Sequence, residues 1–170
     1  MSDGNQPAGA WRADVIQDFA RSELFDRTFQ EGMDLVEETA AYLDGGGRQD
    51  SKLLSRSAAL AYASESMRLT TRLMQVASWL LVQRAVKEGD MAPEAAHEDR
   101  YRLGAEEVCG PGEPIIEDLP ASLLLLLDRS ERLYERVRHL DRRMYRDAPQ
   151  AEGAHAVRSQ MDRLRSAFGG

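Results

Sequence analysis

Residues 67–91, MRLTTRLMQVASWLLVQRAVKEGDM, place apolar side chains on nearly every side of a helix and hold no catalytic polar group. A helix that is apolar all round is surrounded by protein. The centre of the chain is therefore expected to be a buried helix. Function then falls to the outer surfaces, as in a binding module. Ala, Leu, Glu, Arg and Met dominate the rest, and these are helix formers, while aromatics reach only 6%. The expected fold class is all-α. At 170 residues the chain suits one domain with tails, large enough for a core without disulfide or metal staples.

Charge and cysteine content narrow the function. The net charge of −7 argues against nucleic acid, because phosphate contacts need a basic footprint. A single cysteine, Cys109, excludes an intrachain disulfide and suits a reducing cytoplasm. The first residues, MSDGNQPAGAW, lack the basic and apolar regions of a secretory signal. The longest aliphatic run, residues 123–127, falls far short of the roughly 20 residues of a membrane span. The expected setting is cytoplasmic, with no membrane partner.

Periodicity divides the chain into residues 1–20, 21–146 and 147–170. Residues 1–20 read as a flexible N-terminal arm, in which Trp11, Val15 and Phe19 recur at spacing four and could pack on the body. Residues 21–146 read as an antiparallel three-helix bundle with an acidic connector at 89–118. Ser22 suits the N-cap of its first helix, whose apolar face is Phe25, Phe29, Met33, Val36, Ala40 and Leu43. The triplet Gly45-Gly46-Gly47 stops it, with Gly45 expected at positive φ.

The long second helix is expected to start at Asp50 or Ser51 and to end at Gly89. Leu53, Leu60, Met67, Met74 and Leu81 form a seven-residue ladder on it, expected to be buried. Ser57, Ser64, Thr71, Ser78 and Ala85 form a companion row of small residues, which suggests close approach of another helix. Its second half, with Trp79 and Leu80, overruns the first helix and needs other cover: the arm, the third helix or a second subunit. The connector carries a short helix expected over residues 93–103. The third helix, from Leu119-Pro120 to about Arg146, has the cleanest face: Leu119, Leu123, Leu126, Ser130, Leu133, Val137, Leu140 and Met144. Residues 147–170 read as a flexible tail with a short amphipathic pattern at Val157, Met161, Leu164 and Phe168.

Chemistry has little to stand on. Glu94 and His97 have the Glu-x-x-His spacing of di-iron bundles, which need two such motifs and further glutamates facing the interior. His139 and His155 are scattered. Cys109 has no neighbouring base, and there is no Gly-x-Ser-x-Gly, Ser-x-x-Lys or Cys-x-x-Cys motif. No catalytic residue, metal site or cofactor is expected.

Surfaces are more suggestive. Leu124, Leu127 and Tyr134 share a second apolar stripe on the third helix, expected to mediate homodimerisation unless the arm or connector covers it. Residues 22–44 hold seven acids and one Arg, whereas residues 128–146 hold seven Arg and four acids. These are either neighbouring helices of opposite charge or two docking faces, one at Glu31, Asp34 and Glu38, the other at Arg132, Arg136 and Arg143. A different reading is a small-ligand sensor or scaffold with its site near Trp79 and the Ser/Thr row.

The block of residues 67–91, with the preceding AYASES of residues 61–66, resembles the central helix of the alphaproteobacterial RcdA-like proteins, regulators of CtrA degradation. The resemblance extends to SELFD from Ser22, LVEETA from Leu35, YRLGAEEVC from Tyr101 and RSERLYERV from Arg129, and so covers roughly residues 20–146. It implies a homodimeric three-helix bundle without catalysis of its own. It also implies an adaptor of the ClpXP protease, working with the response regulator CpdR and, in some species, the cyclic-di-GMP receptor PopA. Such an adaptor helps to deliver cell-cycle proteins such as CtrA.

Overall fold

The computed structural model describes the backbone of residues 8–145 and the side chains of residues 13–145. The described residues are all-α: α1 (Ala8–Ala20), α2 (Glu23–Asp44), α3 (Gly46–Lys52), α4 (Arg56–Glu88), α5 (Glu106–Cys109) and α6 (Ala121–Tyr145). Two single turns of 3₁₀ helix, Ala95–His97 and Asp99–Tyr101, stand where a short connector helix was expected.

Local chemistry sets the helix ends. Ser22 caps α2 by accepting from the Phe25 N–H at 3.2 Å, and Ser55 caps α4 by accepting from the Ala58 N–H at 3.2 Å. Gly89 ends α4 at φ +80, the left-handed conformation that favours glycine. The glycine triplet works differently from expectation. Gly45 lies at φ −116, and Gly46 and Gly47 begin α3, so the long helix starts at Arg56. Gly47 is needed for space: a Cβ there would sit 2.5 Å from the Tyr62 hydroxyl and 2.8 Å from the Tyr42 carbonyl oxygen.

The long helices α2, α4 and α6 pack on one another as the bundle, and α1 packs against all three. At about 1.5 Å per residue the 33 residues of α4 span roughly 50 Å. The overhanging half of α4 is covered within the chain. Ile16 and Ala20 of α1 are fully buried, and Phe19 meets Trp79 at a ring-centroid distance of 5.8 Å. The segment expected as a flexible arm thus includes a docked helix; the Trp11 side chain lies outside the described residues. So does the amphipathic pattern from Val157 to Phe168.

On α6 and just before it the expected seam is the core, with Leu119, Leu123, Leu126, Ser130, Leu133, Val137 and Met144 buried, while Leu140, also expected inside, is half-buried. On α2 the core face is turned by one residue. Phe25, Thr28, Gly32, Leu35 and Thr39 are buried, while Phe29, Met33 and Val36 are half-buried on its flank. The small residues mark the closest approach to α4, where a Cβ on Gly32 would meet Leu80 Cδ1 at 2.6 Å.

The seven-residue ladder of α4 is the main correction. Leu53, Leu60, Met67, Met74 and Leu81 are 87%, 69%, 72%, 65% and 52% exposed, and the core instead takes Leu69, Arg72, Leu73, Val76, Trp79, Leu80, Gln83 and Val86. Residues two apart on a helix differ by about 200°, so Met74 points away from the side that buries Val76. Both faces of α4 are apolar. The burying face was hidden in the sequence because it includes Arg72 and Gln83, whose side-chain N–H groups find acceptors inside.

Candidate functional site

Two polar clusters fasten the connector to the bundle. Arg72 is fully buried and donates from Nε to the Cys109 carbonyl oxygen at 2.7 Å and from Nη1 to Ser130 Oγ at 2.7 Å, with Nη2 3.5 Å from Glu131. Burial lowers the guanidinium pKa and the Glu131 carboxylate opposes this. Nearer the end of α6, Asp141 is buried and accepts from Trp79 Nε1 at 3.0 Å and from Arg102. Arg102 also lies over the Tyr145 ring, 4.2 Å from its centroid, and Gln83 donates to the Tyr145 hydroxyl at 2.8 Å. Arg72, Asp141 and the Trp79 N–H thereby keep partners they would otherwise lose on leaving water, while the Gln83 Oε1 is buried without one.

The Cys109 thiol is buried, and burial pushes its pKa up, away from the reactive thiolate. His97 meets the Tyr145 ring edge-on at 4.9 Å, a packing contact. Among the described residues no three His, Cys, Asp or Glu side chains converge as metal ligands. Trp79, near which the alternative reading put a ligand or partner site, has its N–H bound to Asp141 and its ring packed on Phe19.

The expected dimer stripe divides. Leu124 is 41% exposed, but Leu127 and Tyr134 are buried inside the same chain. The connector reaches Tyr134: Cys109 and Pro111 share a cleft with Tyr134 and Glu131. The charged candidates are likewise turned toward each other. Arg136 bonds Glu31, and Arg129 bonds Glu38 at 2.7 Å, so the acidic α2 and basic α6 clasp along one flank instead of facing opposite ways. Lys87 adds a bridge from α4 to Asp26. Asp34 accepts from Gln30, Arg132 pairs with Asp128 on its own helix, and Arg143 is exposed. Such exposed pairs contribute only about 0–1 kcal/mol each.

What remains open is the outer face of α4. Its ladder of Leu60, Met67, Met74 and Leu81 runs beside small side chains at Ser64, Thr71 and Ser78. A groove of about 320 Å³ lies alongside, where Val36, Thr39 and Leu43 of α2 face Thr70, Met74 and Ala77 of α4. The Thr39 hydroxyl is buried with no hydrogen-bond partner. No described helix is long and apolar enough to cross a membrane.

Fold and surface together define a helical protein built to present faces. The chain belongs to the family described as a protein of unknown function, DUF1465, whose model matches residues 16–168. It is also similar to a solved structure, RcdA from Caulobacter crescentus, at 72% sequence identity. That match covers 76% of this chain and 97% of the other, with a TM-score of 0.65. No curated protein matches the chain.

Proposed function

We propose that the chain is a non-catalytic adaptor that helps deliver cell-cycle regulators to the ClpXP protease. The observation that carries this reading is the 72% identity to RcdA over nearly the whole of that structure. The open α4 face supports it, because an adaptor acts through surfaces. The partners are those of the RcdA-like proteins: ClpX, the response regulator CpdR, the receptor PopA and cargo such as CtrA, all in the cytoplasm.

The mechanism is tethering. An adaptor that holds cargo and protease together makes the second contact intramolecular, and avidity can rise by about 10²–10⁴ without new chemistry. The adaptor is a homodimer that pairs through α4. A strict seven-residue row of Leu and Met beside a row of Ser and Thr is the pattern of a close helix–helix seam, and among the described residues Leu60, Met67, Met74 and Leu81 stay exposed. The test is direct binding of immobilised chain to purified ClpX, CpdR and PopA. Retention of none of them would reject the adaptor.

A further inference from the structure

We propose that residues 113–118 of the connector form a docking strap for a partner protein that carries an apolar slot with a basic rim. Ile116 is 91% exposed and its neighbour Ile115 is 40% exposed, although isoleucine is among the residue types most often buried. They sit in Glu113-Pro114-Ile115-Ile116-Glu117-Asp118. Among the described residues, 111–119 neither donate nor accept a backbone–backbone hydrogen bond. The strap therefore offers a partner both side chains and an unpaired main chain, the combination used when a peptide adds to a sheet edge.

The strap is held in place at both ends. Upstream, Arg72 and Arg68 donate to the carbonyl oxygens of Cys109 and Gly110 at 2.7 and 3.0 Å. Downstream, the Glu117 carboxylate accepts from Ser57 Oγ at 3.2 Å, and Leu119 is buried. Between these anchors the strap shares a cleft of about 220 Å³ with Ala61, Ser64 and Arg68 of α4. A peptide already ordered in its bound position loses less entropy on docking. This anchoring separates the strap from an ordinary exposed loop.

Charge selects the occupant. Residues 103–118 hold five acids, Glu106, Glu107, Glu113, Glu117 and Asp118, and no Lys or Arg. Isoleucines framed by carboxylates fit an apolar slot rimmed by Lys or Arg, with charge speeding encounter and apolar burial holding the complex.

The proposal rests on the adaptor reading and deepens it by assigning one of the adaptor's contacts. The test compares wild type, Ile116→Glu and the pair Glu113→Lys/Asp118→Lys for binding to purified ClpX, CpdR, PopA and CtrA, at low and high salt. Melting temperature and mass in solution are measured for each protein. The expected result is that one partner, and the same one, loses about tenfold or more in affinity with both variants. Its wild-type binding weakens with salt, and fold and mass are unchanged. Wild-type affinity of Ile116→Glu for every partner that wild type binds would overturn the strap and leave the adaptor intact. A charge-reversed pair that binds as well as wild type would overturn the basic rim. A shift from dimer to monomer in Ile116→Glu would assign the strap to self-association instead. Wild type that binds no partner would end the adaptor reading and this proposal together.

Discussion

Arg102 grips Asp141 with two parallel hydrogen bonds, Nε to Oδ1 at 2.9 Å and Nη2 to Oδ2 at 3.0 Å, and so ties the connector to the last turns of α6. The carboxylate is buried and also holds the Trp79 N–H. Removing one partner of a buried pair costs about 3–5 kcal/mol, because the remaining charge keeps its desolvation without compensation. Asp141→Ala should therefore lower the melting temperature and release the connector. Hydrogen exchange is the check: amides of residues 99–109 should lose protection more than those of α2. Equal loss across all helices would deny the local role.

The exposed ladder gives a paired prediction on α4. Leu80 is fully buried against Gly32 of α2, and Leu80→Ala should cost about 2–5 kcal/mol in chemical denaturation. Met74 is largely exposed, and Met74→Ala should change the stability of the isolated subunit by no more than about 0.5 kcal/mol. Comparable losses at both sites in dilute protein would mean that α4 is turned the other way.

The contrast between α6 and α4 explains what the sequence could disclose. On α6 most buried residues are apolar and most exposed ones charged, so Leu123, Leu126, Leu133, Val137 and Met144 announce the core face by spacing, although Ser130 and Asp141 are buried and Leu124 and Leu125 exposed. The N-caps Ser22 and Ser55 and the stop at Gly89 follow local chemistry; Ser22 and Gly89 were read directly. On α4 the signal inverts. Met67, Met74 and Leu81 face outward, while Arg72 and Gln83 lie inside, and periodicity cannot show that Ser130 and Tyr145 wait to receive them. On α2 the closest contacts are Thr28, Gly32 and Thr39, small residues that score weakly beside Phe29 and Met33. The stripe of Leu124, Leu127 and Tyr134 was misjudged for a different reason. The connector reaches Tyr134, and a loop's path is set by distant anchors such as Arg72 and Arg102.

Self-association should follow the α4 face. Met67→Glu/Met74→Glu would bring charge into an apolar seam, where desolvation is costly. Light scattering should give a folded subunit of 19.0 kDa for this variant and twice that mass for wild type. Leu127→Glu should instead unfold the chain, since Leu127 is buried within it. A wild type that stays at 19.0 kDa at micromolar concentration would rule out the dimer.

Alkaline pH should weaken the bundle at two phenols. Burial pushes Tyr134 and Tyr145 up from 10.0 to about 12, chiefly by desolvating the phenolate, with nearby negative charge adding to it. A raised folded pKa means that the folded state holds the proton more tightly than the unfolded chain does. The stabilisation is complete below pH 10 and is lost as pH rises toward 12. The loss should be on the order of a kcal/mol per phenol. Unfolding and phenolate absorbance should rise together in a pH titration, and Tyr134→Phe should remove part of the dependence. If the part of the phenolate signal that Tyr134→Phe or Tyr145→Phe removes formed near pH 10 in protein that stays folded, the burial of that ring would be contradicted.

The adaptor claim is tested most directly by the half-life of purified CtrA in a reconstituted reaction with ClpXP, CpdR, PopA and cyclic-di-GMP, with and without this chain. Tethering predicts that the chain shortens the half-life at limiting cargo. It also predicts that excess chain lengthens it again, because separate copies then occupy protease and cargo. The chain itself should not cleave CtrA when ClpXP is left out. An unchanged half-life at every concentration of chain, with all components active on a cargo that needs no adaptor, would contradict the account.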